Sequence, residues 1–267
     1  RELGRPQWAF GMRCYGFQDE RILATFCEQG GWKLGWIDPS TGTLEPLQTA
    51  FAEIDAFAFA GDDVYILGGG PDRPLSLARL DLESGEACTF RASSSVTLAP
   101  EWLSVAEPVT YPTSEGDEAH GYFYAPRNPL WQAPGEERPP LIVIGHGGPT
   151  GATATTFSPA IQYWTTRGFA VLDVNYRGST GYGRAYRDRL KGQWGVYDVA
   201  DCVHGARALV ERGLVDGARL AIRGGSAGGY TALAALVFHD TFTAGASYYG
   251  ISELEALARD THKFESR

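Results

Sequence analysis

At 267 residues, with 43% hydrophobic and 21% charged residues, the chain has room for one large globular domain or two. Its formal net charge of −9 comes without a Lys/Arg stripe, which excludes the basic footprint of nucleic-acid or anionic-membrane binding. No apolar stretch approaches the ~20 residues of a membrane span, and no metal-ligand spacing links Cys14, Cys27, Cys88 and Cys202. Scattered cysteines of this kind read as ordinary buried thiols in a reducing compartment, so a cytoplasmic location is expected. The start, Arg1-Glu2-Leu3, resembles neither a signal nor a transit peptide and lacks Met, so the natural start is expected upstream.

The first hundred residues repeat. Asp38-Pro39-Ser40-Thr41-Gly42 and Asp81-Leu82-Glu83-Ser84-Gly85 share the turn pattern Asp-x-x-Ser/Thr-Gly and lie 43 positions apart. At the same offset, Asp19-Glu20-Arg21-Ile22-Leu23 matches Asp62-Asp63-Val64-Tyr65-Ile66. Each unit offers four short strands, in the second near 56–59, 64–67, 75–80 and 87–90, separated by Gly/Asp/Pro turns. A period of about 40–45 residues with four strands per unit predicts propeller blades, with a plain antiparallel sandwich as the alternative. Residues 1–100 are therefore expected to form about two blades, and since a ring needs about four to eight, further blades are expected from elsewhere.

Residues 101–267 read differently. Stretches 107–111 and 120–124 suit an antiparallel hairpin at a sheet edge. Residues 141–144 are a continuous apolar run ending in His146-Gly147-Gly148-Pro149, and 168–174 are a second such run, followed by Asn175-Tyr176-Arg177-Gly178. Residues 196–212 carry a helical apolar stripe closed by Gly213, on which Asp198 and Asp201 read as the polar face. Residues 219–222 predict a strand, 230–238 a helix, and 243–248 the next strand. Apolar strands alternating with amphipathic helices predict an α/β fold with a doubly wound, mainly parallel sheet covered on both faces.

Between the strand at 219–222 and the helix at 230–238 lies Gly224-Gly225-Ser226-Ala227-Gly228-Gly229. Strand, Gly-x-Ser-x-Gly, helix is the context of a nucleophile elbow, in which small neighbours let the backbone turn sharply around the serine. Ser226 is the candidate nucleophile, and the Ala227 N–H at the helix start is placed to stabilise an oxyanion. A glycine-rich turn whose serine merely caps the helix is the alternative. Gly148, in the turn after an earlier strand, is the natural second N–H donor, against an ordinary Gly/Pro turn. His146 precedes the nucleophile and is expected to be structural. Tyr176 and Arg177, at a strand's C-terminal end, are candidates for the substrate side, against a packed loop. His204 reads as a tolerated helix residue. His239, Asp240, Asp260 and His262 follow Ser226 at spacings that do not suit a triad acid and base, and none is assigned.

These motifs together resemble the prolyl oligopeptidase family of serine peptidases, in its acylaminoacyl-peptidase and dipeptidyl-peptidase-like branch. The resemblance rests on His146-Gly147-Gly148-Pro149, residues 173–183, Trp194-Gly195 with Asp198 and Asp201, and residues 224–229. It implies an α/β-hydrolase domain preceded by a propeller that admits peptides, with Ser226 as the acylated nucleophile and Ala227 and Gly148 as oxyanion donors. Some members place a tyrosine hydroxyl where His146 stands, so that donor is absent. The family's acid and base come later than this sequence reaches: 41 residues follow Ser226, so the last strands, the triad Asp and the triad His are expected beyond residue 267. The chain is accordingly expected to be an interior segment of a serine peptidase acting on oligopeptides, inactive by itself, with no metal or organic cofactor and a peptide as partner. An esterase of the same superfamily, or a non-catalytic peptide-binding remnant, remain alternatives, and homo-oligomerisation stays open.

Overall fold

Two turns of the same construction organise the first part of the chain in the computed structural model, which describes residues 1–5 and 11–261. The Asp38 carboxylate accepts the Ser40 N–H at 2.8 Å and the Ser40 hydroxyl at 2.6 Å, while the Gly42 N–H closes on the Asp38 carbonyl at 2.8 Å. At Asp81 the carboxylate accepts the Ser84 N–H (2.8 Å) and hydroxyl (2.9 Å), and the Gly85 N–H returns to the Asp81 carbonyl at 2.9 Å. Both turns end on a glycine in the left-handed region, φ 71° and 73°, where a side chain would be strained. Each closes the last hairpin of a four-stranded antiparallel meander. The first runs β1 (Tyr15–Gln18), β2 (Arg21–Glu28), β3 (Gly31–Ile37) and β4 (Leu44–Pro46). The second runs β5 (Glu53–Ala60), β6 (Asp63–Gly70), β7 (Arg73–Leu80) and β8 (Ala87–Ala92). Leu23 and Leu34 of the first share a buried cluster with Ile54, Phe57, Val64 and Ile66 of the second, as neighbouring propeller blades do.

By contact density the chain divides into two units. One comprises Arg1–Pro100 with Ala154–Pro159 and Thr180–Arg184; the other is the remainder. In the second unit β9 (Glu107–Pro112), β10 (Glu118–Tyr124), β11 (Leu141–Gly145), β12 (Ala170–Asn175), β13 (Leu220–Gly225) and β14 (Ala244–Tyr248) build a six-stranded sheet, ordered β14-β13-β11-β12-β10-β9. Strands β12, β11, β13 and β14 are mutually parallel, and β10 and β9 continue the sheet antiparallel. Every residue of β12 is buried, which is why its apolar residues do not alternate with solvent-facing polar ones.

The helices are α1 (Pro159–Thr165), α2 (Arg184–Asp188), α3 (Tyr197–Glu211), α4 (Ala227–Phe238) and α5 (Leu254–Asp260). On one face, Cys202, Val203, Ala206 and Leu209 of α3 and Ala232 and Ala235 of α4 pack on Leu141, Val143, Leu172 and Ile222. On the other face, Ile161 of α1 packs on Ile142, Val171, Tyr122 and Tyr124. From β11 the chain crosses to β12 on one side, and later passes through β13 to β14 on the other. Strand order therefore reverses between β11 and β13, the switch point at which loops diverge and open α/β sheets bind ligands.

Candidate active site

Strand β13 runs into the double glycine and ends at Ser226, whose φ of 54° and ψ of −121° lie outside the regions a serine ordinarily adopts. The strain persists because the surroundings over-determine it. Ser226 N–H donates to the Tyr248 carbonyl at 3.1 Å, and its own carbonyl accepts from Gly229 at 2.9 Å and Tyr230 at 3.2 Å. A Cβ on Gly228 would collide with the Gly145 carbonyl, and one on Gly224 with the Gly228 carbonyl, so these glycines are required by the closeness of β11, β13 and α4. The result is a half-buried serine at the start of a helix, with the Ala227 N–H as the first orphan donor of that helix.

The turn after β11 lies alongside. A Cβ on Gly147 would sit 3.5 Å from the Ser226 Cβ, and Gly148 has a φ of 131° that disfavours any side chain. Among the described residues the N–H groups of Gly147, Gly148 and Ala227 make no backbone hydrogen bond. Three N–H groups without a backbone partner therefore lie in the turn after β11 and at the elbow, with Gly147 against the serine.

His146 holds this turn and is not a base for Ser226. Its ring stacks on Tyr176, centroids 4.1 Å apart and planes 18° apart. Nδ1 lies 2.8 Å from the Gly147 carbonyl and Nε2 lies 2.8 Å from the Ser179 hydroxyl. A carbonyl can only accept, so Nδ1 carries the proton, and Nε2 is left as an acceptor that shares the single Ser179 hydroxyl proton with the Tyr176 carbonyl. Burial pushes the His146 pKa down to about 4, and the ring is neutral at physiological pH. The unfolded chain takes up this proton near pH 6.5 and the folded chain does not. Stability present above that pH is therefore lost as pH falls toward 4. Part of the residue remains open to solvent, so the loss is no more than about 3 kcal/mol. His146→Gln, which does not titrate, is expected to flatten melting-temperature curves between pH 7 and 4; an unchanged acid limb would show that the loss arises elsewhere.

Of the two readings the sequence left for Tyr176 and Arg177, the substrate side or a packed loop, their burial favours the packed loop. Tyr176 is 0% exposed, and its hydroxyl faces the carbonyls of His146 (3.0 Å) and Pro149 (3.1 Å). Arg177, 1% exposed, forks onto Asp201 through Nη2 at 2.8 Å and Nε at 3.0 Å. It also reaches Asp117 at 3.2 Å and the Ser114 hydroxyl at 2.7 Å, and covers the Tyr197 ring at 3.9 Å. Both side chains are spent on internal bonds.

Asp198 and Asp201 are likewise not on a solvated face, for both are 0% exposed. Asp198 accepts the Gly195 N–H at 2.6 Å and the Thr231 hydroxyl at 2.5 Å, tying α3 to the elbow helix α4. Burial raises its pKa despite those bonds. The signal was present: Asp198 stands four residues before Cys202, on the helical face that turns to the sheet.

Three further features were not legible. Asn175 Oδ1 accepts the Thr153 N–H at 2.8 Å and the Thr153 hydroxyl bonds to Asp173, so the end of β12 anchors the far end of the turn after β11. Tyr249, 87% exposed with φ 40°, brings its hydroxyl beside Gly225, next to Ser226. Burial raises Asp173 to about 7, Thr153 and Arg223 opposing. Its proton stays on in the folded state where the unfolded chain has lost it, so its stabilising contribution is complete below pH 4 and is lost as pH rises to 7. Asp173→Asn is expected to raise the melting temperature at pH 8 and leave it unchanged at pH 4; equal shifts at both would overturn the assignment. Among the remaining histidines, His120 packs against Tyr186, His204 is on α3, and His239 ends α4. No described histidine is hydrogen-bonded to Ser226, and His262 lies outside the described residues.

A strand, a serine elbow and a helix at the switch point of this sheet are the marks of an α/β-hydrolase fold. Residues 155–267 match the model of the prolyl oligopeptidase family. A puromycin-hydrolyzing peptidase of Mycobacterium tuberculosis is 42% identical, with a TM-score of 0.93 over 99% of this chain and 41% of its own. The acylaminoacyl peptidase of Pyrococcus horikoshii is 26% identical, with a TM-score of 0.75 over 92% of this chain and 39% of its own. An uncharacterized Bacillus subtilis peptidase is 28% identical over 80% of this chain and 34% of its own length. The chain thus spans about two fifths or less of the proteins it resembles. Its architecture is an α/β-hydrolase sheet preceded by part of a β-propeller.

Proposed function

We propose that this chain carries the nucleophile and oxyanion hole of a serine peptidase that cleaves oligopeptides through an acyl-enzyme. The observation that carries the reading is the strained Ser226, set at a helix N-terminus against the Gly147-Gly148 turn. Ser226 Oγ attacks the scissile carbonyl, and the Ala227 and Gly148 N–H groups receive the oxyanion as its charge develops. A histidine oriented by an aspartate takes the serine proton and passes it to the leaving amine. Both are proposed to come from residues outside these 267. Similarity to a puromycin-hydrolyzing peptidase and to an acylaminoacyl peptidase supports aminoacyl or acylaminoacyl amides as the substrate class.

A fluorophosphonate probe is expected to attach to Ser226 in the whole protein, located by peptide mass; attachment elsewhere would overturn the assignment. Turnover of aminoacyl anilides and acetylated peptides is expected to exceed that of short-chain esters relative to their uncatalysed rates. Preference for esters would favour an esterase, and absence of all turnover with peptide binding retained would favour a binding remnant.

A further inference from the structure

We propose that the Tyr176 hydroxyl is a positioning group that holds the oxyanion turn in its working conformation. The inference rests on the proposed role of Ser226 and its N–H donors. Two successive glycines, Gly147 and Gly148, have more backbone freedom than any other pair of residues, so the turn they form needs ties from outside to aim its N–H groups. Tyr176 supplies one from the neighbouring strand end. Its hydroxyl faces the His146 carbonyl at 3.0 Å and the Pro149 carbonyl at 3.1 Å, the two that bracket the glycine pair. A peptide group is planar and its carbonyl and following N–H point in opposite directions. Drawing the His146 carbonyl toward Tyr176 therefore turns the Gly147 N–H away from it, and with the Pro149 carbonyl tied as well, the peptide between them that carries the Gly148 N–H is held from both sides. A single hydroxyl proton is shared between two acceptors, so the tie clamps both ends at once.

The rest of the residue suits this duty. The ring is fully enclosed and stacked on His146, whose Nδ1–H holds the Gly147 carbonyl. The Ser179 hydroxyl stands 2.7 Å from the Tyr176 carbonyl, so the backbone of the residue is also tethered. Burial raises the phenol pKa well above its ordinary value, which keeps the hydroxyl a donor at any working pH.

Tyr176→Phe in the whole protein removes the hydroxyl and keeps every ring contact. Its kcat on a peptide anilide is expected to fall about ten- to a hundredfold, less than the loss of an entire oxyanion donor, with KM within about twofold. The inhibition constant of a peptide aldehyde, which forms a tetrahedral adduct on Ser226, is expected to rise by the same factor as kcat/KM falls. Tyr176→4-aminophenylalanine, which restores a donor, is expected to recover most of the rate. A purely structural residue would lower the melting temperature and leave kcat and aldehyde affinity, measured well below melting, within about twofold of the parent; that result would overturn the proposal. If the parent protein itself neither labels at Ser226 nor binds the aldehyde, the peptidase reading fails and the proposal falls with it.

Discussion

Ser226→Ala is expected to lower kcat of the whole protein by about a million-fold, the cost measured for removing a serine nucleophile that acts as a unit with its base. KM and the melting temperature are expected to stay close to those of the parent. The reason lies in what holds the elbow. Its strained backbone is fixed by the Tyr248 carbonyl, by the N–H groups of Gly229 and Tyr230, and by the tight approach of Gly145, Gly224 and Gly228. None of these uses the serine hydroxyl, so the turn survives its loss. A residual rate of about a thousandfold over water is expected from the oxyanion donors and substrate binding. The check is single-turnover hydrolysis of a peptide anilide together with a thermal melt. A variant that keeps a tenth of the parent rate would sink the assignment of Ser226.

Arg177→Met is expected to have the largest effect on stability. Arg177 and Asp201 are 1% and 0% exposed, and removal of the cation strands a carboxylate whose remaining donors are the Thr113 hydroxyl and the Arg177 N–H, each at 2.6 Å. Breaking a buried pair from one side costs about 3–5 kcal/mol, which corresponds to a fall on the order of 10 °C in melting temperature. The double variant Arg177→Met with Asp201→Asn leaves no unpaired charge and keeps an acceptor for Thr113, so it is expected to be more stable than the single Met variant. Strict additivity in the thermal double-mutant cycle would overturn this. KM is expected to be unchanged well below melting, since Arg177 is turned into the protein; a tenfold rise would return it to the substrate side.

These two residues mark the division between what was readable along the chain and what was not. Ser226 was legible because an elbow is a local object. Small residues at fixed spacing between an apolar strand and an apolar helix specify the turn, whatever the rest of the fold does. The Asp38 and Asp81 turns were legible for the same reason, their hydrogen bonds closing within five residues. Arg177 was not. Its polarity and its place at a strand end suited a ligand site as well as a packed loop, and its partners, Asp201, Asp117 and Ser114, lie 24 to 63 positions away. Asp198 and Asp201 were misjudged because a charged residue on a helix is ordinarily solvated, and only the side chains that meet them, Thr231 and Arg177, make burial affordable.

By itself, then, the sequence determined the two kinds of architecture, the position of the serine elbow and the identity of the glycines around it, since each follows from periodicity or from steric demands within a few residues. Only the tertiary structure decided which polar groups face inward. It turned Tyr176 onto the turn after β11, closed Arg177 against Asp201 and set His146 against Ser179, because the partners that satisfy those groups lie 24 to 33 positions away and are brought together by the packing of the sheet and α3 and not by nearness in the chain.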